Sequence, residues 1–269
     1  MSEKVFYDQM SNRIRIRKPV KRIVSIVPSQ TELLHYLGLN EAVVGITKFC
    51  VHPEEWHRSK VRVGGTKKLD MEKIARLNPD LIIGNKEENT REQVEELMQN
   101  YPVWMSDIHN LNDTLEMIAG VGAVLGKEKQ ANRLITQIKG NFGLLQACTG
   151  AQKRAAYFIW QNPYMTVGKE TFIHDMMNRC GFENVFAGMP GRYPVVAPAQ
   201  IIMARPELIL LPSEPYPFAQ KHIAGFRELC PHSQIMLVDG EYFSWYGSRI
   251  AEAPKYLNKI IREVEQAAI

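Results

Sequence analysis

Aromatic side chains recur where apolar runs give way to turns. Phe49, Trp160, Tyr164, Tyr193, Tyr216, Phe218, Trp245 and Tyr246 all follow or flank predicted strands. Their faces could hold a wide planar ligand beside a few polar groups. They could equally cover the core, since an aromatic content of 9% is ordinary. Trp160-Gln161-Asn162-Pro163-Tyr164 is the best single candidate, a turn that follows a buried strand. Lys48, Lys67, Lys68, Lys86, Arg192 and Arg249 lie on predicted loops, where they would suit an anion. For any one lysine, solvated surface is the plainer reading. Arg249 could also cap the last helix or pair with Glu241. Cys50, His52 and His57 form the close group of metal-capable side chains, but their spacing matches no common zinc set.

Covalent chemistry is not indicated. The chain has no G-x-S-x-G, no H-E-x-x-H and no H-x-E with C-x-x-C. Gly120 to Lys127 reads GVGAVLGK, superficially a phosphate loop. Glu128 stands where a magnesium-binding Ser or Thr belongs, and the run sits in a helical apolar pattern, so helix packing explains it better. The four cysteines are widely spaced. Cys180 and Cys230 could pair in an oxidising compartment; free thiols are expected otherwise.

The 269 residues are 45% hydrophobic and 23% charged, as in soluble globular proteins, and suffice for two lobes. The net charge of +4 is spread along the chain. Its densest basic run, Arg13 to Arg22, is interleaved with Ile14, Ile16 and Val20. That alternation reads as a strand with one wet face, not a nucleic-acid arm. The first ten residues carry Glu3 and Asp8 and resemble no secretory signal, and no apolar run could span a bilayer.

The positioning elements are legible. Lys21 to Thr47 packs a strand, a turn, a helix and a second strand into one unit. Arg22 to Val27 is apolar and β-branched, Pro28 stops it, Ser29 or Thr31 can cap the helix, and Gly38 ends it. Such a βαβ unit implies a parallel sheet, whose carboxyl edge is where ligands bind. Ile74 to Gly84 (IARLNPDLIIG) and Ile202 to Leu211 (IMARPELILL) repeat one phrase: helix end, proline, acid, buried strand. Further strands are expected at 103–105, 154–160 and 235–238, and an N-terminal hairpin over 5–20. Helices are expected over 111–125, 127–148 and 252–268. The result is a two-lobed α/β protein with mostly parallel sheets, a cleft between the lobes, and one long helix joining them. The boundaries expected are an α/β lobe over 1–110, a helical connection over 111–149 and a second α/β lobe over 150–269. A continuous helix resists hinge closure, so ligand binding should change the shape little.

These segments together resemble the ABC-importer substrate-binding proteins for ferric siderophores, haem and cobalamin, the helical-backbone metal receptors. The resemblance runs from Asp8 through RIVSIVPSQTE, VGGTKKLDMEKIARLNPDLIIG and GKETFIHDMMNRCGFENVFAG to VDGEYFSWYGSR, which ends at Arg249. It implies capture of an iron or cobalt chelate by a monomer, delivery to an ABC permease dimer, and no resident cofactor beyond the ligand's own metal. It implies no role for nucleic acid and a periplasmic or cell-surface location. A cytoplasmic corrinoid or haem carrier or sensor is the alternative. The ligand residues it suggests are Ser29, Gln30, Phe49, Cys50, Lys67 and Asn85 in the first half. In the second half they are Trp160, Tyr164, Arg192, Tyr193, Tyr216, Trp245 and Arg249. Cobalamin receptors often carry Cys-Asp-Tyr-Pro where this chain has Cys50-Val51-His52-Pro53, and a tryptophan where it has Asn85. Acidic side chains, one per lobe, meet permease arginines in the family; Glu92, in a loop and helix start with Glu87 and Glu88, and Glu214 are the matches.

Overall fold

The computed structural model describes residues 3–17, 19–149 and 152–267. Two compact units emerge. The first holds the chain through Ile108, Asn112–Gln137 and Tyr246–Arg249; the second holds His109–Leu111, Ile138–Trp245 and the chain from Ile250.

The first unit opens with the expected hairpin, β1 (Glu3–Tyr7) against β2 (Arg13–Arg17), antiparallel. Ile14 and Ile16 of β2 are buried and its arginines exposed, as the alternation required. The sheet of this unit is parallel throughout: β3 (Ile23–Ser25), β4 (Val43–Ile46), β5 (Val61–Arg62), β6 (Leu81–Asn85) and β7 (Val103–Ser106), in the order β5-β4-β3-β6-β7. Its helices are α1 (Pro28–Tyr36), α2 (Glu54–Ser59), α3 (Met71–Leu77) and α4 (Arg91–Met98). Val24, Ile26, Val63, Ile74, Ile82 and Met105 form one core. The start of α1 differs from the expected cap. Pro28 is its first residue, where a missing N–H is harmless, and Val27 occupies the cap position. Neither Ser29 nor Thr31 caps; Thr31 Oγ1 instead donates back to the Val27 carbonyl at 2.8 Å. Gly38, at φ +74°, ends the segment as expected.

Two helices follow, α5 (Leu111–Leu125) and α6 (Glu128–Phe142). The GVGAVLGK run is the close-packed end of α5. A Cβ on Gly120 would lie 2.5 Å from the Trp104 ring, and one on Gly122 2.5 Å from Ala131 Cβ. Gly126 turns the chain at φ +68°. Helix α6 ends at Phe142, six residues before the expected Cys148, because Gly143 interrupts it and 145–148 is irregular. The division between the units falls inside α6, after Gln137.

The second unit has β8 (Lys153–Trp160), β9 (Met165–Thr166), β10 (Phe182–Asn184), β11 (Leu208–Pro212) and β12 (Gln234–Val238). Strands β10-β8-β11-β12 are parallel, and β9 pairs antiparallel with β8. The helices are α7 (Phe172–Arg179), α8 (Pro198–Ala204), α9 (Gln220–Leu229), α10 (Glu241–Ser244) and α11 (Ala253–Gln266). The expected helix end at Ala268 lies outside the described residues. Phe158, Phe186, Phe226 and Ile209 anchor the core.

The repeated phrase performs the same task twice. Asn78 and Arg205 end α3 and α8 in the left-handed region, at φ +42° and +45°. Asp80 then accepts from the Arg22 N–H at 2.9 Å, and Glu207 from the Arg154 N–H at 2.9 Å. In return the Asp80 and Glu207 N–H groups each donate to that neighbour's carbonyl at 2.7 Å. Each acid thus registers its strand against the adjacent one.

Candidate ligand-binding site

The carboxyl ends of the parallel strands place the candidate residues in each unit. In the first unit the ends of β3, β6 and β7 are polar and hydrogen-bonded to one another. Asn85, at the end of β6, donates through Nδ2 to the Ser106 carbonyl at 3.1 Å. Its Oδ1 accepts from Glu87 N–H at 2.8 Å, and its own N–H reaches Asn89 Oδ1 at 2.9 Å. Asn89 Nδ2 donates to the Ile26 and Thr66 carbonyls, both at 3.1 Å. Three loops are thereby stitched together. Gln30 is buried and donates to Ser106 Oγ, which donates in turn to the Gly84 carbonyl at 3.1 Å.

Several expected ligand residues are therefore structural. Asn85 is buried with its amide satisfied by its own loop. Cys50 is buried beneath α1, where Thr31 and Thr47 hydroxyls lie 3.1 Å from Sγ and burial pushes its thiol pKa up. The His57 ring hydrogen-bonds the Cys50 carbonyl at 3.2 Å, and no group of three His, Cys, Asp or Glu able to hold a metal occurs among the described residues. Lys67 hydrogen-bonds the Glu87 carbonyl. Ser29 is buried in α1 beneath Gly247, where a Cβ would collide with the Ser29 carbonyl oxygen. Arg249 lies two residues on from Gly247. It forms a two-pronged bond with Glu32, at 2.7 and 3.1 Å. Phe49 stays exposed, with the Lys48 ammonium 5.0 Å from its ring centre.

The second unit's ends are aromatic. Trp160, 41% exposed at the end of β8, sets its ring 5.2 Å from that of Tyr216 in the loop after β11. Tyr216 leans on Phe218 at 4.7 Å. Its hydroxyl lies 3.3 Å from His222 Nε2. The Ala219 N–H donates to His222 Nδ1 at 2.9 Å, which leaves Nε2 the protonated nitrogen of the neutral ring. Tyr164 stands behind, against Phe158 and Phe226, and belongs to the core. Trp245 is buried too. Its Nε1 donates to Glu214 Oε1 at 2.6 Å, and Ser244 Oγ to the same oxygen at 3.0 Å. One oxygen of Glu214 is thus held by its own unit. Arg192 donates to His109 Nε2 at 2.7 Å, and Tyr193 is half-buried in the same loop. Cys180 neighbours Cys148, whose N–H donates to its carbonyl at 3.0 Å, and it forms no disulfide with Cys230: all four thiols are free.

Residues that sequence reasoning passed over include Glu32, Asn89, Ser106, His109 and His222. Asn85 and Asn89 stand four apart, a spacing that could have flagged a shared turn. Glu32 carried no signal, because its partner is 217 positions away.

Each unit is thus an α/β sheet of mainly parallel strands with its candidate residues in the loops at the strand ends. Residues 23–226 match the model of the periplasmic binding proteins, and the chain belongs to that family. A substrate-binding lipoprotein of an ABC transporter in Bacillus subtilis is 27% identical over 271 residues, covering 96% of this chain and 85% of its own. A vitamin B12-binding protein of Vibrio parahaemolyticus is 26% identical over 195 residues, covering 71% and 70%. Among solved structures, the molybdate-binding protein of Haemophilus influenzae superposes with a TM-score of 0.80 at 17% identity, covering 98% of this chain and 93% of that one. The vitamin B12-binding protein of Vibrio cholerae gives 0.75 at 19%, covering 92% and 98%. The family binds substrates for transport, so the chain is a substrate-binding protein and not an enzyme.

Proposed function

We propose that the chain captures a wide, largely planar iron or cobalt chelate and delivers it to an ABC importer. Haem, a cobalamin-like corrinoid and a ferric siderophore are the class. The observation that carries this reading is the Trp160–Tyr216 pair, two aromatic rings meeting at the carboxyl ends of β8 and β11 with Trp160 open to solvent. Ring faces suit a macrocycle or catecholate. A small oxyanion, as named for the Haemophilus protein, instead needs converging cations or N–H donors. Arg192 and Arg249 are already engaged, by His109 and Glu32. Relatives named for vitamin B12 support the reading.

In this reading the protein works as a monomer in the periplasm or at the cell surface, and the chelate brings its own metal. No helix among the described residues is long and apolar enough to cross a membrane. Glu92, exposed in the first turn of α4, is the acid we assign to the permease contact. Glu92→Lys should lower uptake and leave chelate affinity unchanged; unaltered uptake removes that role.

The ligand test is a thermal-shift screen against haem, cyanocobalamin, and ferric catecholate and hydroxamate siderophores. A ligand at a hundredfold excess over its Kd stabilises by about 2.7 kcal/mol through mass action. One class should raise the melting temperature. A flat response to all four rejects the chelate reading.

A further inference from the structure

Strand β2 sets Arg13, Arg15 and Arg17 on one face. Across the hairpin, Arg17 faces Glu3, whereas Arg15 faces Val5 and Arg13 faces Tyr7. Arg58, Arg76, Arg91, Arg154, Arg179 and Arg249 each hold a carboxylate. Arg13 and Arg15 have no such partner among the described residues. Two like charges one pleat apart, about 7 Å along a strand, repel unless an anion joins them.

Both arginines line a pocket of about 390 Å³, whose walls also include Asn12, Tyr101, Met98 and Pro102. All belong to the first unit. The neighbouring carboxylate, Asp8, forms no ion pair with either arginine among the described residues. It is buried and accepts from Met10 N, Asn12 N, Asn12 Nδ2 and Met105 N, all within 2.9 Å. The pocket thus joins two arginines that hold no carboxylate to an apolar and aromatic wall. It has more room than a bare phosphate needs.

We propose that this pocket binds a phosphate-bearing organic anion. The forks of Arg13 and Arg15 take the phosphate oxygens, and the organic part lies against Tyr101 and Met98. A soluble phosphomonoester and the headgroup of an anionic phospholipid offer the same chemistry. Nothing in the proposal depends on the identity of the chelate.

The test has two arms on the intact chain. One titrates glycerol 3-phosphate by calorimetry. The other sediments the protein with phosphatidylglycerol–phosphatidylcholine vesicles and with phosphatidylcholine vesicles alone. Binding is expected in at least one arm, and the arm that responds names the source. The double variant Arg13→Gln/Arg15→Gln should weaken it at least tenfold, and Arg17→Gln less than twofold. Circular dichroism melting confirms that each variant is folded, and the two single variants serve if the double one is not. Absence of binding in both arms overturns the proposal. So does binding to the folded double variant within twofold of the parent, or equal sedimentation with both vesicle types and no response to glycerol 3-phosphate.

Discussion

The two units finish their sheets in different ways on the same frame. In the first, Gln30, Asn85, Asn89 and Ser106 are buried and bonded to one another or to loop carbonyls. In the second, Trp160 and Tyr216 meet ring to ring with Trp160 partly exposed. Yet the phrase that precedes β6 and the one that precedes β11 make matching bonds through Asp80 and Glu207. The repeated frame places the loops, and the side chains just past each strand decide what those loops can do. The polar end spends most of its donors and acceptors on its own loops. At the aromatic end the rings meet edge to face, and Trp160 still keeps part of its surface open to solvent.

The contrast breaks most visibly at Asn89. Alanine there removes the acceptor for Asn85 N–H and the donors to two loop carbonyls, all buried. Leaving such groups unsatisfied costs about 1–3 kcal/mol each where water cannot reach, so Asn89→Ala should lose about 3 kcal/mol in urea unfolding. A loss below about 0.5 kcal/mol, the range of ordinary surface changes, would mean that the polar end is not stitched as described. Trp160→Ala sharpens the other side. Its stability change should stay below about 1 kcal/mol, since the ring is partly exposed. Chelate affinity, followed by fluorescence quenching, should fall about tenfold, or about 1.4 kcal/mol. Unchanged affinity would move the ligand away from the aromatic end.

What the sequence revealed follows the same division. Strands were legible because burial on both faces of a parallel sheet demands apolar runs, as in Leu81 to Gly84 and Leu208 to Leu211. The hairpin was legible from the arginine–isoleucine alternation. The site was less so. Loop position marked Trp160 and Tyr216 correctly as strand-end aromatics, but it marked Tyr164 and Trp245 in the same way, and both are buried or packed on the core. Position along the chain says where a side chain starts and not which way it turns. The directions of Trp245 and Arg249 are set by Glu214 and Glu32, which lie 31 and 217 residues away. Helix α6 ends at Phe142 and not at the expected Cys148, because Gly143 lacks the side chain that would favour another turn.

A finer comparison comes from one titrating group in each unit. In the first, burial raises the pKa of Glu88; Lys67 pulls it down, Glu87 pushes it up, and a hydrogen bond from Thr66 lowers it. In the second, burial lowers the pKa of His174, and the Asp175 charge raises it in part. Burial opposes the charged form in both, but the consequences run in opposite directions with pH. Folded Glu88 holds its proton more tightly than the unfolded chain does. Its contribution is therefore complete below the ordinary glutamate range and is lost as pH rises through the elevated value. Folded His174 holds its proton less tightly, so its contribution is complete above the ordinary histidine range and is lost as pH falls through the depressed value. Urea midpoints measured over about pH 4 to 8 should show both limbs, since the ordinary values lie near 4.3 and 6.5. Glu88→Gln should gain on the parent as pH rises and then level off. His174→Gln should gain on it as pH falls. If both differences had the same sign of slope, burial would not be the dominant influence in one of the units. The one with the unexpected slope would then be governed by its neighbouring charges, Lys67 for Glu88 or Asp175 for His174.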